Sequence, residues 1–99
     1  MTVYQHRATV SAVAGTTSST SLTIPGGLLR QVFIAANTLT TIFRANLVDK
    51  KNLTVANWGF CKGQINEFQF AMPLQGAYTL NITNASLDDT FSILLSVEE

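Results

Sequence analysis

The sequence predicts an all-β fold, an antiparallel β-sandwich or small jelly roll of seven to eight short strands. Apolar and polar residues alternate with period two in segment after segment, as strands with one buried face require. Turn-forming residues recur roughly every eight to twelve positions, and no stretch sustains a helical period. The 99 residues fit one domain, 1–99, with a single core.

The alternation is cleanest between Ala77 and Val97. Tyr78, Leu80 and Ile82 share one face of a strand, and Phe91, Ile93, Leu95 and Val97 share one face of the next. With Asn84 to Asp89 between them, the segment reads as a hairpin.

In chain order, Thr2 to Val13 reads as a first strand with Tyr4, His6, Ala8, Val10 and Ala12 on one face. That face is only partly apolar, which suits a sheet edge or an arm laid on a neighbour. Residues 14–20 are small and polar and read as a flexible linker. Ser21 to Ile24 is a short strand that Pro25-Gly26-Gly27 stops, with a chain reversal expected there.

Leu28 to Ala36 is apolar on both faces, with Val32 and Ile34 on one and Phe33 and Ala35 on the other, so it belongs in the middle of the fold. Asn37-Thr38 is expected to turn the chain back into Leu39 to Val48, with Leu39, Thr41, Phe43, Ala45 and Leu47 facing the core. Ile42 and Val48 then stand as apolar residues on the outward face.

Asp49 to Asn52 is a solvated loop tip. In Val55 to Cys61, Trp58 and Phe60 share a parity that Gly59 interrupts, which predicts a bulge or bend. Lys62 to Asn66 reads as loop, Glu67 to Ala71 as a short strand with Phe68 and Phe70 inward, and Met72 to Gly76 as a turn.

Composition narrows the function classes. Six basic residues cancel six acidic ones, whereas a nucleic-acid binder needs a basic face to displace counterions. Charged residues make up 12% of the chain, against about 25% in an ordinary domain. Ala8 to Leu29 and Phe68 to Leu87 carry no charge at all. A surface this poor in charge risks association, so part of it is expected to be covered by other protein; the plainer alternative is a neutral Thr/Ser/Asn surface on an ordinary β domain.

The longest apolar run, Val32 to Ala36, is far too short to cross a bilayer, and Gln5, His6 and Arg7 follow the start with no apolar segment of a secretory signal behind them. Synthesis in a cytoplasm and no membrane association are the expectations.

The residues offer little for catalysis. His6 is the sole histidine, with no partner pattern to make it a general base. Cys61 is the sole cysteine and reads as a strand residue rather than a disulfide or zinc ligand. Asp88-Asp89 fits turn chemistry better than a cation shell, since adjacent strand residues point to opposite faces. Neither an enzyme activity nor a cofactor or metal is expected. Asn52-Leu53-Thr54, Asn81-Ile82-Thr83 and Asn84-Ala85-Ser86 match the glycosylation pattern, as an Asn/Thr/Ser-rich chain does by chance. Trp58 with Phe60, Tyr4 or Tyr78 could make an aromatic platform for a sugar or a partner, though core packing explains the same rings.

The short, nearly charge-free all-β chain, with IPGGLLRQVFIAAN in its first half and GAYTLNITNASLDDTFSILLSVEE at its end, resembles small bacteriophage virion proteins of the capsid decoration or cement type. The resemblance is one of overall character, without a diagnostic motif. It implies a homo-oligomer, a trimer by preference, on the outer capsid surface, clamping neighbouring major capsid proteins. Tyr4, Val10, Ile42, Val48, Trp58 and Phe60 are the residues expected in subunit or capsid contacts, with the first strand pairing onto a neighbour. A phage tail or neck component, or a glycan- or receptor-binding sandwich, are the other roles such a chain could fill.

Overall fold

The computed structural model describes residues 3–68 and 71–99. Seven strands account for most of them: β1 (Val3–Ala12), β2 (Thr17–Ala36), β3 (Ile42–Asp49), β4 (Thr54–Lys62), β5 (Gln64–Glu67), β6 (Met72–Thr83) and β7 (Asp89–Glu98). All pairings are antiparallel, in the order β1-β7-β2-β5-β4-β3-β6, with β2 also joined to β6. The all-β, antiparallel fold read from the sequence is the one observed.

The 20-residue β2 organises the molecule. Its first half, Thr17 to Leu29, pairs with β6, and its second half, Leu28 to Ala36, lies between β7 and β5. One sheet is thereby folded into two layers that share this strand: β1-β7-β2-β5, and β2-β6-β3-β4. Val32 and Ile34 are fully buried, and Phe33 and Ala35 are half-buried on the other face, in keeping with a central strand.

Pro25-Gly26-Gly27 does not reverse the chain, as the sequence suggested, but bends β2 by a bulge. Ile24 faces Gly76 and Gly27 faces Leu74, so β2 carries one more residue than β6 across the interval. Pro25 lacks a ladder donor, and Gly26 and Gly27 take φ values of +141° and +152°, a region that side chains other than hydrogen resist. Gly27 is also a close-approach site: a Cβ there would lie 2.7 Å from the Glu98 carbonyl oxygen and 2.8 Å from Val97 Cγ1.

Other expected loops prove to be strand. Thr17 to Thr20, expected in the flexible linker, pairs with Leu80 to Thr83, because a run of Thr and Ser suits an extended, half-exposed strand. Gln64 to Asn66, expected in a loop, form β5 together with Glu67 and run beside Val32 to Ala35. Met72 to Gly76, expected as a turn, begins β6, with exposed Pro73 opposite Leu28. Phe68 is 62% exposed rather than inward, and Phe70 and Thr2 lie outside the described residues.

The expected final hairpin is a crossover between layers. β6 pairs with β2 and β3, while β7 pairs with β1 and β2, so Asn84 to Asp88 spans the sandwich. Asn37 to Thr41 also crosses layers, which leaves Leu39 70% exposed at the corner instead of in the core. These corners are tied together: Asn84 N donates to Thr16 O (3.1 Å), Ser86 N to Ile42 O (2.8 Å), and Ala14 N to Asp88 Oδ1 (2.8 Å). The Asp88-Asp89 pair therefore does turn chemistry.

The core forms where inner faces meet. Leu29, Val32, Ile34, Phe91, Leu95 and Val97 from one layer, and Ile24, Phe43, Leu47, Leu80 and Ile82 from the other, are each fully buried. Phe43 and Phe91 meet edge to face, centroids 4.8 Å apart at 67°.

Candidate functional site

The outward face of the β2-β6-β3-β4 layer gathers what the sequence analysis singled out as exposed apolar residues. Strand register fixes it row by row. Ser19, Asn81, Asn46 and Asn57 are successive cross-strand neighbours over four strands. Ser19 Oγ donates to Asn81 Oδ1 at 2.6 Å, and Asn81 Nδ2 donates to Asn46 Oδ1 at 2.8 Å. The Asn81 side chain, a glycosylation match by sequence, is committed to this row.

Rows on either side contain Thr17, Thr83 and Arg44, and Ser21, Thr79 and Val48. Ile42 opposite Lys62 closes one end. The face is thus a sheet surface of Thr, Ser and Asn with no acidic residue in these rows, edged by Ile42, Val48 and Phe60.

The bulge expected around Gly59 is present and decides the fate of two aromatic rings. Phe43 pairs with Cys61 and Ala45 with Trp58, so Gly59 and Phe60 together oppose Arg44 alone. Trp58 and Cys61 both turn inward as a result, and Phe60 turns out, 72% exposed. Simple parity placed Trp58 and Phe60 on one face; the extra residue separates them.

The six expected contact residues therefore divide. Phe60 and Ile42 (38% exposed) are surface residues, and Val48 is partly so, all on this one layer. Trp58 and Val10 belong to the chain's own core at 9% and 4% exposure, which corrects their expected place in a contact with another chain. Tyr4 is half-buried on β1, its ring edge-on to His6 at 5.1 Å and its hydroxyl 3.4 Å from the Gly26 carbonyl oxygen. Tyr78 is buried and its hydroxyl is held by the Gln75 backbone. No aromatic platform forms from Trp58, Phe60, Tyr4 and Tyr78.

The titratable groups serve the fold. Burial by itself raises the Asp89 pKa, but hydrogen bonds from Thr41 Oγ1 (2.8 Å) and from the backbone of Thr38 (3.0 Å) and Thr90 (2.8 Å) outweigh it and hold the carboxyl below its ordinary value. Burial, with the Glu67 carboxylate adding to it, pushes the Cys61 thiol up. His6 Nε2 is buried without a hydrogen-bond partner among the described residues. Among the described residues, no three His, Cys, Asp or Glu side chains gather in a metal-binding arrangement.

An open cleft of about 320 Å³ lies at the far tip, where the β3–β4 turn meets Gln75 to Tyr78. Asp49 Oδ1 accepts from the Lys51 and Leu53 backbone at 2.8 and 3.0 Å, so its charge shapes the turn and Lys50 and Lys51 are left in solvent.

No family model and no curated protein sequence matches the chain. The fold has counterparts among solved structures. The chain is similar to the Aeromonas hydrophila PliG, a periplasmic inhibitor of g-type lysozyme, with TM-score 0.53 and 14% identity over 97% of this chain and 86% of that one. It is also similar to a ruminal GH26 endo-β-1,4-mannanase (TM-score 0.47, 10% identity, 91% of this chain, 19% of that). A third is the enzymatically active domain of bacteriophage CBA120 tailspike protein 4 (TM-score 0.33, 15% identity, 96% of this chain, 18% of that). PliG carries the fold likeness; the other two are too distant to argue from, and at these identities a shared sandwich does not transfer a function.

Proposed function

We propose that the chain is a structural virion protein of the capsid decoration type, which binds as a homo-oligomer to the outer surface of a phage capsid and clamps neighbouring major capsid proteins. The observation that carries the reading is the β2-β6-β3-β4 outer face, a Thr/Ser/Asn sheet surface edged by Ile42, Val48 and Phe60, with Arg44 and Lys62 as the charges in its rows, in a chain with 12% charged residues. Its Thr, Ser and Asn rows desolvate at little electrostatic cost, Arg44 and Lys62 being the charges a partner must pair or leave in solvent. Phe60 supplies the kind of aromatic anchor on which interfaces concentrate their energy.

Each contact need only be weak. A multivalent attachment repeated over a lattice gains avidity without new contacts, provided the geometry lets several sites engage together. The protein would be made in the host cytoplasm and reside on the virion, with neither nucleic acid nor membrane as its partner.

The test is co-sedimentation of the purified chain with capsids assembled from the major capsid protein of the same virus. Saturable binding at a fixed number of copies is expected, weakened about fivefold or more by Phe60→Ser or Ile42→Asp. A chain that stays in the supernatant at every concentration overturns the reading.

A further inference from the structure

We propose that β1 is a self-pairing edge, and that two copies of this chain join β1 to β1 antiparallel about a twofold axis through Ala8. β1 pairs with β7 over ten consecutive residues without a register shift, and among the described residues no strand pairs with its other side. Sheet edges left bare are ordinarily blunted by proline, bulges or charge. β4 shows that device, with two register shifts, and the free edge of the first half of β2 ends at the Ile24/Gly27 bulge. β1 has no proline, glycine or bulge, and its one charge is Arg7.

The sequence of β1 is complementary to itself in the register centred on Ala8. With Ala8 on the axis, the inward residues Tyr4 and His6 face the partner's Ala12 and the partner's Val10, so each large ring meets a smaller side chain. On the outward face Arg7 meets the partner's Thr9 and Gln5 meets the partner's Ser11. Val3 and Val13, 55% and 59% exposed, cover one another. Moving the axis to Arg7 would set two guanidinium groups opposite each other, and moving it to His6 would do the same with two imidazoles. Tyr4, His6 and Ala8 are only half-buried in a single chain, so the added strand gives them the cover they lack.

Identical strands pairing antiparallel make an isologous contact, which closes at two copies. The pair therefore replaces the threefold arrangement that the family resemblance implies, and it stands whether or not the chain binds a capsid.

Sedimentation equilibrium of the chain and of two charge variants at Thr9 decides it. Thr9 is exposed, so both variants leave the fold intact. A dimer is expected, tightened about threefold or more by Thr9→Glu, which faces the partner's Arg7 in both halves, and weakened by a similar factor by Thr9→Lys. A monomer at all concentrations, a trimer, or a dimer indifferent to the charge at position 9 overturns the proposal.

Discussion

The Thr41 hydroxyl donates to the Asp89 carboxylate, Oγ1 to Oδ2 2.8 Å, across 48 residues of chain. Thr41 is fully buried at the end of the corner that leaves β2, and Asp89 opens β7, so the bond pins the two layers at the end where the chain crosses between them. Asp89 also accepts from the Thr38 and Thr90 backbone.

Asp89→Asn is therefore expected to cost about 1 kcal/mol at neutral pH, since an amide accepts these bonds less strongly and brings two donors of its own. The carboxyl is held below its ordinary value in the folded state. Its stabilisation is thus complete above the unfolded pKa, about 3.9, and is lost as pH falls through the lower folded value. Urea unfolding should show the wild type losing its advantage over the variant below about pH 4. A constant difference between the two from pH 7 to pH 2 would count against this role.

Gly27 and Gly76 provide a matched pair. Both have positive φ, +152° and +107°, but a Cβ at Gly27 collides with the Glu98 carbonyl, whereas Gly76 has open space around it. Gly27→Ala should cost about 2 kcal/mol or more, combining strain with overpacking, and Gly76→Ala only the strain. Thermal melts of the two variants would refute the close-approach argument if Gly76→Ala were the more damaging.

The edge-to-face pair of Phe43 and Phe91 holds the two inner faces together. Either ring truncated to alanine should cost about 3–5 kcal/mol. A double-mutant cycle in urea should return a coupling of about 0.5–1.5 kcal/mol. Additive losses would mean that the rings merely fill space.

Much of this architecture was legible from the residues. Period-two alternation located the buried faces of β1, β3, β6 and β7 correctly, because one-sided burial writes itself into single residues. What sequence missed were the partners. Nothing local distinguishes a hairpin from a crossover at Asn84 to Asp88, since that choice depends on β7 finding β1 and β2 in space. Thr17 to Thr20 has linker composition and becomes strand only because β6 lies beside it. The candidate face was legible in part: Ile42 and Val48 followed from parity, but the Asn46–Asn81–Ser19 row needs register, and the Gly59 bulge, which parity could not resolve, put Trp58 inside and Phe60 outside.

The same bulge gives a contrast between neighbours. Trp58→Ala should cost about 3–5 kcal/mol by opening the core. Phe60→Ser, two residues on, should change stability by no more than about 0.5 kcal/mol, since its ring is 72% exposed. Chemical unfolding of both, with a Phe60 variant as damaging as the Trp58 one, would show that Phe60 serves the fold and not a partner.

The proposed clamping role is tested most directly by heating capsids, with and without the bound chain, and recording the temperature at which they release their DNA. Saturating wild-type protein should raise that temperature, and the Phe60→Ser protein should raise it less at the same concentration. An unchanged release temperature with the outer surface fully occupied would contradict the account.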